Sequence, residues 1–297
     1  MKFPHILVAI FVTLIWGSAF AVIEIGMQGF PPIFNAALRF LTASIPLVFF
    51  IKRPKVSPLF LLLFGMNYVL MFSLMYVGMK WGMPSGLTSL VLQTAVLFAL
   101  ILSAFVLQEF PNKIQIFGVL IGLSGIALIA TDKESFTSIS AFLLVLGAAF
   151  FYGASSIIMK RAGNVDMLAL LIWGCLVPPI PLLGLSLMLE TGQWHAFKNM
   201  SLMGGFSIYY TSLLGTVLAF ALWGWLLKRY PANMVVPFNL LVPVFGIITS
   251  YILLNEQVTN TSATACVIIF TGLLVVSFHN RINNWTLRRK RMLRSQQ

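Results

Sequence analysis

Charged side chains make up only 9% of the 297 residues, and acids are rarer still, with seven Asp and Glu against 19 Lys and Arg. A soluble domain carries charge on about a quarter of its residues, so these few groups are too sparse to cover a water-facing surface. Histidine occurs three times, at His5, His195 and His279, each near the end of an apolar run. That leaves neither a nucleophile with its base nor ligands at helical spacing, and an intramembrane enzyme is only a remote alternative. The two cysteines, Cys175 and Cys266, lie inside apolar segments with no His or acid at ligand spacing. A disulfide framework and a metal site are therefore not expected, and no cofactor is implied. No polar stretch is long enough for a soluble domain, which also leaves little surface for an obligate protein partner.

What the chain has is hydrophobic residues, at 59% of the total. Apolar runs of about twenty residues, bounded by charge, Pro or Gly, cover residues 6–26, 33–51, 58–79, 85–108, 114–131, 139–159, 167–189, 203–227, 233–254 and 261–280. Each is long enough to cross a hydrocarbon core of about 30 Å. Membrane lipid is thus the expected solvent, and an all-α membrane protein of ten transmembrane helices is the expected fold. The first run imitates a signal peptide, with Lys2 before it and Ala19-Phe20-Ala21 within it, but its length predicts an uncleaved span.

The formal net charge of +12 raises the possibility of nucleic acid binding, and the placement of the basic residues argues against it. They cluster in the short gaps and in the tail after Arg281, where they suit anionic lipid headgroups. With both termini cytoplasmic, fifteen Lys and Arg fall on one side and three (Lys80, Lys133, Lys198) on the other, with Arg39 inside the membrane. The positive excess marks the cytoplasmic side.

An internal repeat supports the count. A shift of 147 places Pro84 on Pro231, Phe98 on Phe245, Ser103 on Ser250, Leu107 on Leu254, Glu109 on Glu256 and Gly125 on Gly272; a shift of 136 places Trp16-Gly17-Ser18 on Tyr152-Gly153-Ala154. Five spans per half is an odd number, so the halves are expected to sit upside down relative to one another, as two inverted five-helix repeats with a site between them near the midplane. The expected divisions are 1–133, 137–281 and a basic cytoplasmic tail, 282–297.

Several segments resemble the drug/metabolite transporter superfamily. They are Phe30-Pro31-Pro32 with Leu38-Arg39-Phe40, Arg53-Pro54-Lys55-Val56, the run from Gly82 to Gln93, Ile172-Trp173, Trp223-Gly224, Lys228-Arg229-Tyr230 and the run from Leu240 to Val244. The resemblance runs through essentially the whole chain and is closest to the EamA type of amino-acid-metabolite exporter, whose members are implicated in efflux of cysteine and O-acetylserine. It implies a multi-pass secondary transporter that exports a small amino acid or related metabolite across the bacterial inner membrane. A broad exporter of drugs or aromatic metabolites is the alternative.

Polar groups inside hydrocarbon are costly and mark pathways or packing contacts. Arg39 lies about 9 Å into the second span at 1.5 Å per residue, where a guanidinium suits a substrate carboxylate; snorkelling or pairing with Glu24 is the competing role. Asn35 shares its face. Asn67, Gln93 and Asn239 offer amides to a zwitterion or to a neighbouring helix. Tyr76 joins this cavity set, as do Trp16 and Tyr152, which occupy matching places in the two halves. Trp173 and Trp223 are cavity candidates or interfacial anchors. Glu109 and Glu256 are expected to cap helix N-termini across the short turns to Asn112 and Thr259, or to seal a gate. Pro237 and Pro243 are expected bending points. No acid or His lies in the middle third of a span, so facilitated export rather than a proton relay is the expectation.

Overall fold

The computed structural model describes residues 1–132, 138–163 and 165–277. Lys133, Arg281, His279 and the basic tail lie outside the described residues, as do the end of the last expected span and the segment between the two expected halves.

Within the described residues the chain is all helix, with no strand. The helices are α1 (Phe3–Met27), α2 (Pro32–Val48), α3 (Pro58–Lys80), α4 (Ser85–Gln93), α5 (Ala95–Val106), α6 (Lys113–Thr131), α7 (Ile139–Arg161), α8 (Met167–Gly174), α9 (Pro179–Leu189), α10 (Gln193–Lys198), α11 (Leu202–Tyr209), α12 (Ala219–Arg229), α13 (Ala232–Val235), α14 (Leu241–Leu254) and α15 (Asn260–Ser277). A π-helical segment, Tyr210–Leu218, joins α11 to α12, and a 3-10 segment, Val236–Leu240, joins α13 to α14. Eight helical stretches are long and apolar enough to cross a membrane, and α2 and α15 are shorter apolar helices. Helix is the form that lets each span satisfy its own backbone polar groups where no water can.

Local sequence sets the boundaries. Proline occupies the first turn of α1, α2, α3 and α9, where its missing N–H costs nothing. Ser57 accepts the Phe60 N–H at 3.1 Å, Asp166 accepts those of Leu168 and Ala169, and Asn112 and Gln115 form a reciprocal capping box before α6. The turn to Asn112 is thus closed by its own side chains, without Glu109.

Glycine decides how the spans meet, because lipid offers no hydrophobic drive for helix association and close backbone approach must supply it. A Cβ on Gly17 of α1 would fall 2.5 Å from the Val242 carbonyl oxygen, 2.6 Å from Phe245 Cβ and 2.9 Å from the Gly246 nitrogen, all in α14. A Cβ on Gly153 of α7 would fall 2.7 Å from the Ala95 oxygen, 3.0 Å from Phe98 Cβ and 2.9 Å from the Ala99 nitrogen, all in α5. In the same way α6 and α15 close on each other through Gly118, Gly122, Gly125 and Gly272. Large apolar side chains such as Phe105, Phe117 and Leu120 point outward, the arrangement expected of a bundle whose surroundings are hydrocarbon.

Candidate functional site

Helices α1, α2, α3, α4 and α7, with the π-helical and 3-10 segments, surround a central cavity of about 910 Å³ counted out to its mouth. Five of the ten cavity candidates line it: Trp16, Arg39, Gln93, Tyr152 and Asn239.

Arg39 is the charged residue of the lining, 9% exposed, and among the described residues it makes no ion pair. Its Nη2 donates to the Thr216 hydroxyl at 3.3 Å, its Cζ sits 4.7 Å from the centre of the Phe72 ring, and its Nε has no hydrogen-bond partner. The expected alternative pairing with Glu24 is not made. A cation buried this deep without a counter-charge is costly.

The second half contributes irregular backbone. Thr216 and Gly215 come from the π-helical segment, a form that recurs at functional sites. The Gly215 carbonyl accepts the Trp16 indole N–H at 2.9 Å, which fixes that ring across the cavity, 5.1 Å from Phe220 and 5.2 Å from Trp223. Pro237 interrupts the backbone ladder within the 3-10 segment, and Asn239 follows it. The Gln93 amide donates to the Asn239 carbonyl at 3.2 Å, and the Asn239 Oδ1 is buried with no partner. Pro243 lies buried in the first turn of α14.

The other five candidates do not line the cavity. Asn67 bridges α3 to α7, donating to the Phe151 carbonyl at 2.9 Å and the Ser155 hydroxyl at 2.6 Å. Asn35 is buried beside Gly26 and Ser207, with neither side-chain polar atom bonded. Tyr76 is fully buried, with its hydroxyl toward Arg39. Trp173 donates to the Ile51 carbonyl at 2.9 Å, which ties α8 to the end of α2. Trp223 backs Trp16 from outside the lining.

Several lining residues were not anticipated from sequence: Ser89, Gly215, Thr216, Tyr68 and Phe72. A signal for the last two was present, because Phe64, Tyr68, Phe72 and Tyr76 recur every four residues and so form one aromatic stripe on α3. Nothing in the local pattern distinguishes Thr216 from the other hydroxyls of its span.

Glu256 and Glu109 sit outside the cavity. Glu256 accepts the Ser85 N–H at 2.8 Å, the Gly86 N–H at 2.9 Å and the Ser85 hydroxyl at 2.9 Å, so it caps α4 from the other half of the chain rather than the helix across its own turn. Glu109 is half exposed and forms an ion pair with Lys160.

The EamA-like transporter family model matches the sequence twice, over residues 3–131 and 139–278. The chain belongs to that family. A protein of Salmonella typhimurium named as a probable amino-acid metabolite efflux pump is 34% identical over 92% of this chain and 95% of its own length. An Escherichia coli protein of the same name is 33% identical over 91% and 93%. A crystal structure 18% identical in sequence superposes with a TM-score of 0.63 over 93% of this chain and 96% of its own, which shows the shared fold. The family member described here is thus a multi-span membrane transporter, and its relatives are transporters rather than enzymes.

Proposed function

We propose that this protein is a secondary transporter that exports small amino acids or their metabolites across the bacterial inner membrane by alternating access. The observation that carries the reading is Arg39, a buried guanidinium with a free Nε in the cavity wall and no acid among the described lining residues. It provides a bidentate seat for a carboxylate. The unpaired Asn239 Oδ1 and the faces of Trp16 and Phe220 are the acceptors for an ammonium group. The names of the two enterobacterial relatives agree with that chemistry.

The same reading takes the ten apolar helices as ten crossings, arranged as two inverted five-helix halves over 1–133 and 137–281 with cytoplasmic termini. The glycine contacts support it. Gly17 meets Val242, Phe245 and Gly246, and Gly153 meets Ala95, Phe98 and Ala99; these are the same positions under the two shifts of the repeat. The positive-inside distribution supports the orientation. Asn67, Asn35, Tyr76, Trp173 and Trp223 act as packing residues behind the cavity wall, while Pro237 and Pro243 let the 232–254 rod bend.

The aromatic lining, with Phe20, Phe40, Tyr68 and Phe72 around Arg39, favours as second reading an exporter of aromatic metabolites or drugs. Counterflow uptake of labelled cysteine, O-acetylserine, threonine and an aromatic amino acid into proteoliposomes separates the two, with and without a pH gradient. Saturable exchange of the small amino acids is expected. Arg39→Ala should lower it by about 10- to 100-fold, the scale of one charged hydrogen-bonded contact. Exchange of none of the four overturns the amino-acid reading, and accumulation driven by the pH gradient overturns facilitated export.

A further inference from the structure

The two carboxylates that end the fourth and ninth expected spans share one backbone device. Gln108 and Asn255, the residues before Glu109 and Glu256, both have positive φ, at 56° and 54°. In both turns the glutamate N–H reaches back to a serine carbonyl, Glu109 to Ser103 at 3.2 Å and Glu256 to Ser250 at 3.4 Å. The left-handed residue is uncommon outside glycine, and its recurrence at one offset makes the turns equivalent hooks. Their occupancy differs. The Glu256 hook holds the N-terminus of α4 with three hydrogen bonds, and the Ser85 and Ser250 hydroxyls lie 2.6 Å apart beside it. The Ser103 hydroxyl instead turns back on its own segment, to the Leu100 and Glu109 carbonyls. Among the described residues the Glu109 carboxylate is joined only to Lys160, and the residue that matches Ser85 under the same shift is Ala232, which carries no hydroxyl.

The helices around the hooks differ in the same sense. At the Glu256 end α4 lies tightly on α14, where a Cβ on Gly246 would fall 2.2 Å from the Ser89 Oγ. Beyond Thr94 the rod leaves α14, and α5 packs on α7 through Gly153.

We infer that Glu256 and Glu109 are paired latches for the two mouths of the cavity, with the Glu256 latch fastened and the Glu109 latch held off its seat by Lys160. The shift of 136 that pairs Gly17 with Gly153 also pairs Glu24 with Lys160. Lys160 is therefore a catch that retains the open hook by opposite charge. Glu24, the counterpart of Lys160 under that shift, lies within electrostatic reach of Glu256 and of Lys80, with Oε2 buried and unbonded. Glu24 supplies no positive charge with which to retain an open Glu256, so the Glu256 mouth has no catch and rests shut. The inference builds on the alternating-access reading and adds which residues set the resting side.

The test is sided labelling of a cavity cysteine with a membrane-impermeant maleimide. Phe220→Cys, placed on a Cys175→Ala, Cys266→Ala background, is the reporter, in vesicles of both orientations. Labelling from the Glu109 side only is expected. Glu256→Gln should raise labelling from the opposite side about tenfold or more, since three bonds to a charged acceptor are weakened. Glu24→Lys, which installs the missing catch, should raise it several-fold, and Lys160→Gln should lower labelling from the Glu109 side several-fold. Sidedness unchanged by Glu256→Gln and Glu24→Lys overturns the latches. If Glu256→Gln fails to fold, the Glu24 and Lys160 variants decide on their own, because Lys160 is exposed. No substrate is used, so this result and the transport assay can fail separately.

Discussion

At one end of this molecule a glutamate is fully engaged on a helix N-terminus of the opposite half; at the other end its sequence counterpart lies half exposed beside a lysine. The hooks are alike in backbone, so the difference cannot come from local structure. It comes from what the neighbouring helices bring into reach. Where Gly17, Ser89 and Gly246 let the backbones of α1, α4 and α14 close together, the α4 N-terminus arrives within 3 Å of Glu256. Where α5 follows α7 instead, Glu109 finds only Lys160. Under the proposed alternating access the two turns would exchange these states between half-cycles.

That comparison can be broken at its foundation by filling the glycine contacts. Gly17→Leu and Gly153→Leu each place a side chain where backbone already lies within 3 Å, at a cost of about 3 kcal/mol or more. Both should lose the folded species in a thermal melt in detergent, and collapse of one with tolerance of the other would end the equivalence of the two contacts. Asn67→Ala sharpens it as a control whose side chain bonds to neither hook. It removes two bonds between α3 and α7 and should lower stability by about 1–2 kcal/mol while leaving the sidedness of cavity labelling unchanged.

Smaller effects test the latch surroundings. Ser250→Ala removes the hydroxyl that meets Ser85, at about 1 kcal/mol, and should raise access through the Glu256 mouth about fivefold. Ser103→Ala should change it by less than twofold, since that hydroxyl bonds only within its own turn. Smallest of all is the response to salt. The Glu109–Lys160 pair is exposed, worth less than about 1 kcal/mol, and screened over about 3 Å at 1 M ionic strength, so high salt should modestly reduce labelling from the Glu109 side and leave the buried Glu256 bonds intact.

Much of this was legible in the sequence, because the signals concerned are local sums or fixed offsets. A hydrophobic run of about twenty residues is helical in lipid whatever surrounds it, and each expected span whose residues are described is mostly helical here, with internal breaks at Thr94 and at 175–178 and a few residues' difference at the ends. The two shifts of the repeat paired Gly17 with Gly153 and Glu109 with Glu256, but that the first pair are close helix contacts and the second follow left-handed turns came only from the structure. Arg39, Trp16 and Tyr152 were recognisable by their depth in apolar segments.

The sequence did not reveal which polar groups meet. Asn67 and Asn239 are both amides within a span; one ties two helices together and the other leaves an unbonded oxygen at the cavity wall, and that difference depends on whether the facing surface is a helix or empty space. Thr216 reaches Arg39 through a π-helical segment whose sequence, Tyr210–Leu218, looks like any other apolar helix. The state of the hooks was the least legible of all. By itself the sequence determined the apolar helices and the offset that matches Glu109 with Glu256, because covalent order and hydropathy suffice for each. Only the tertiary structure decided which side chains line the cavity and which latch is fastened, because those outcomes depend on long-range packing between arrangements close in free energy.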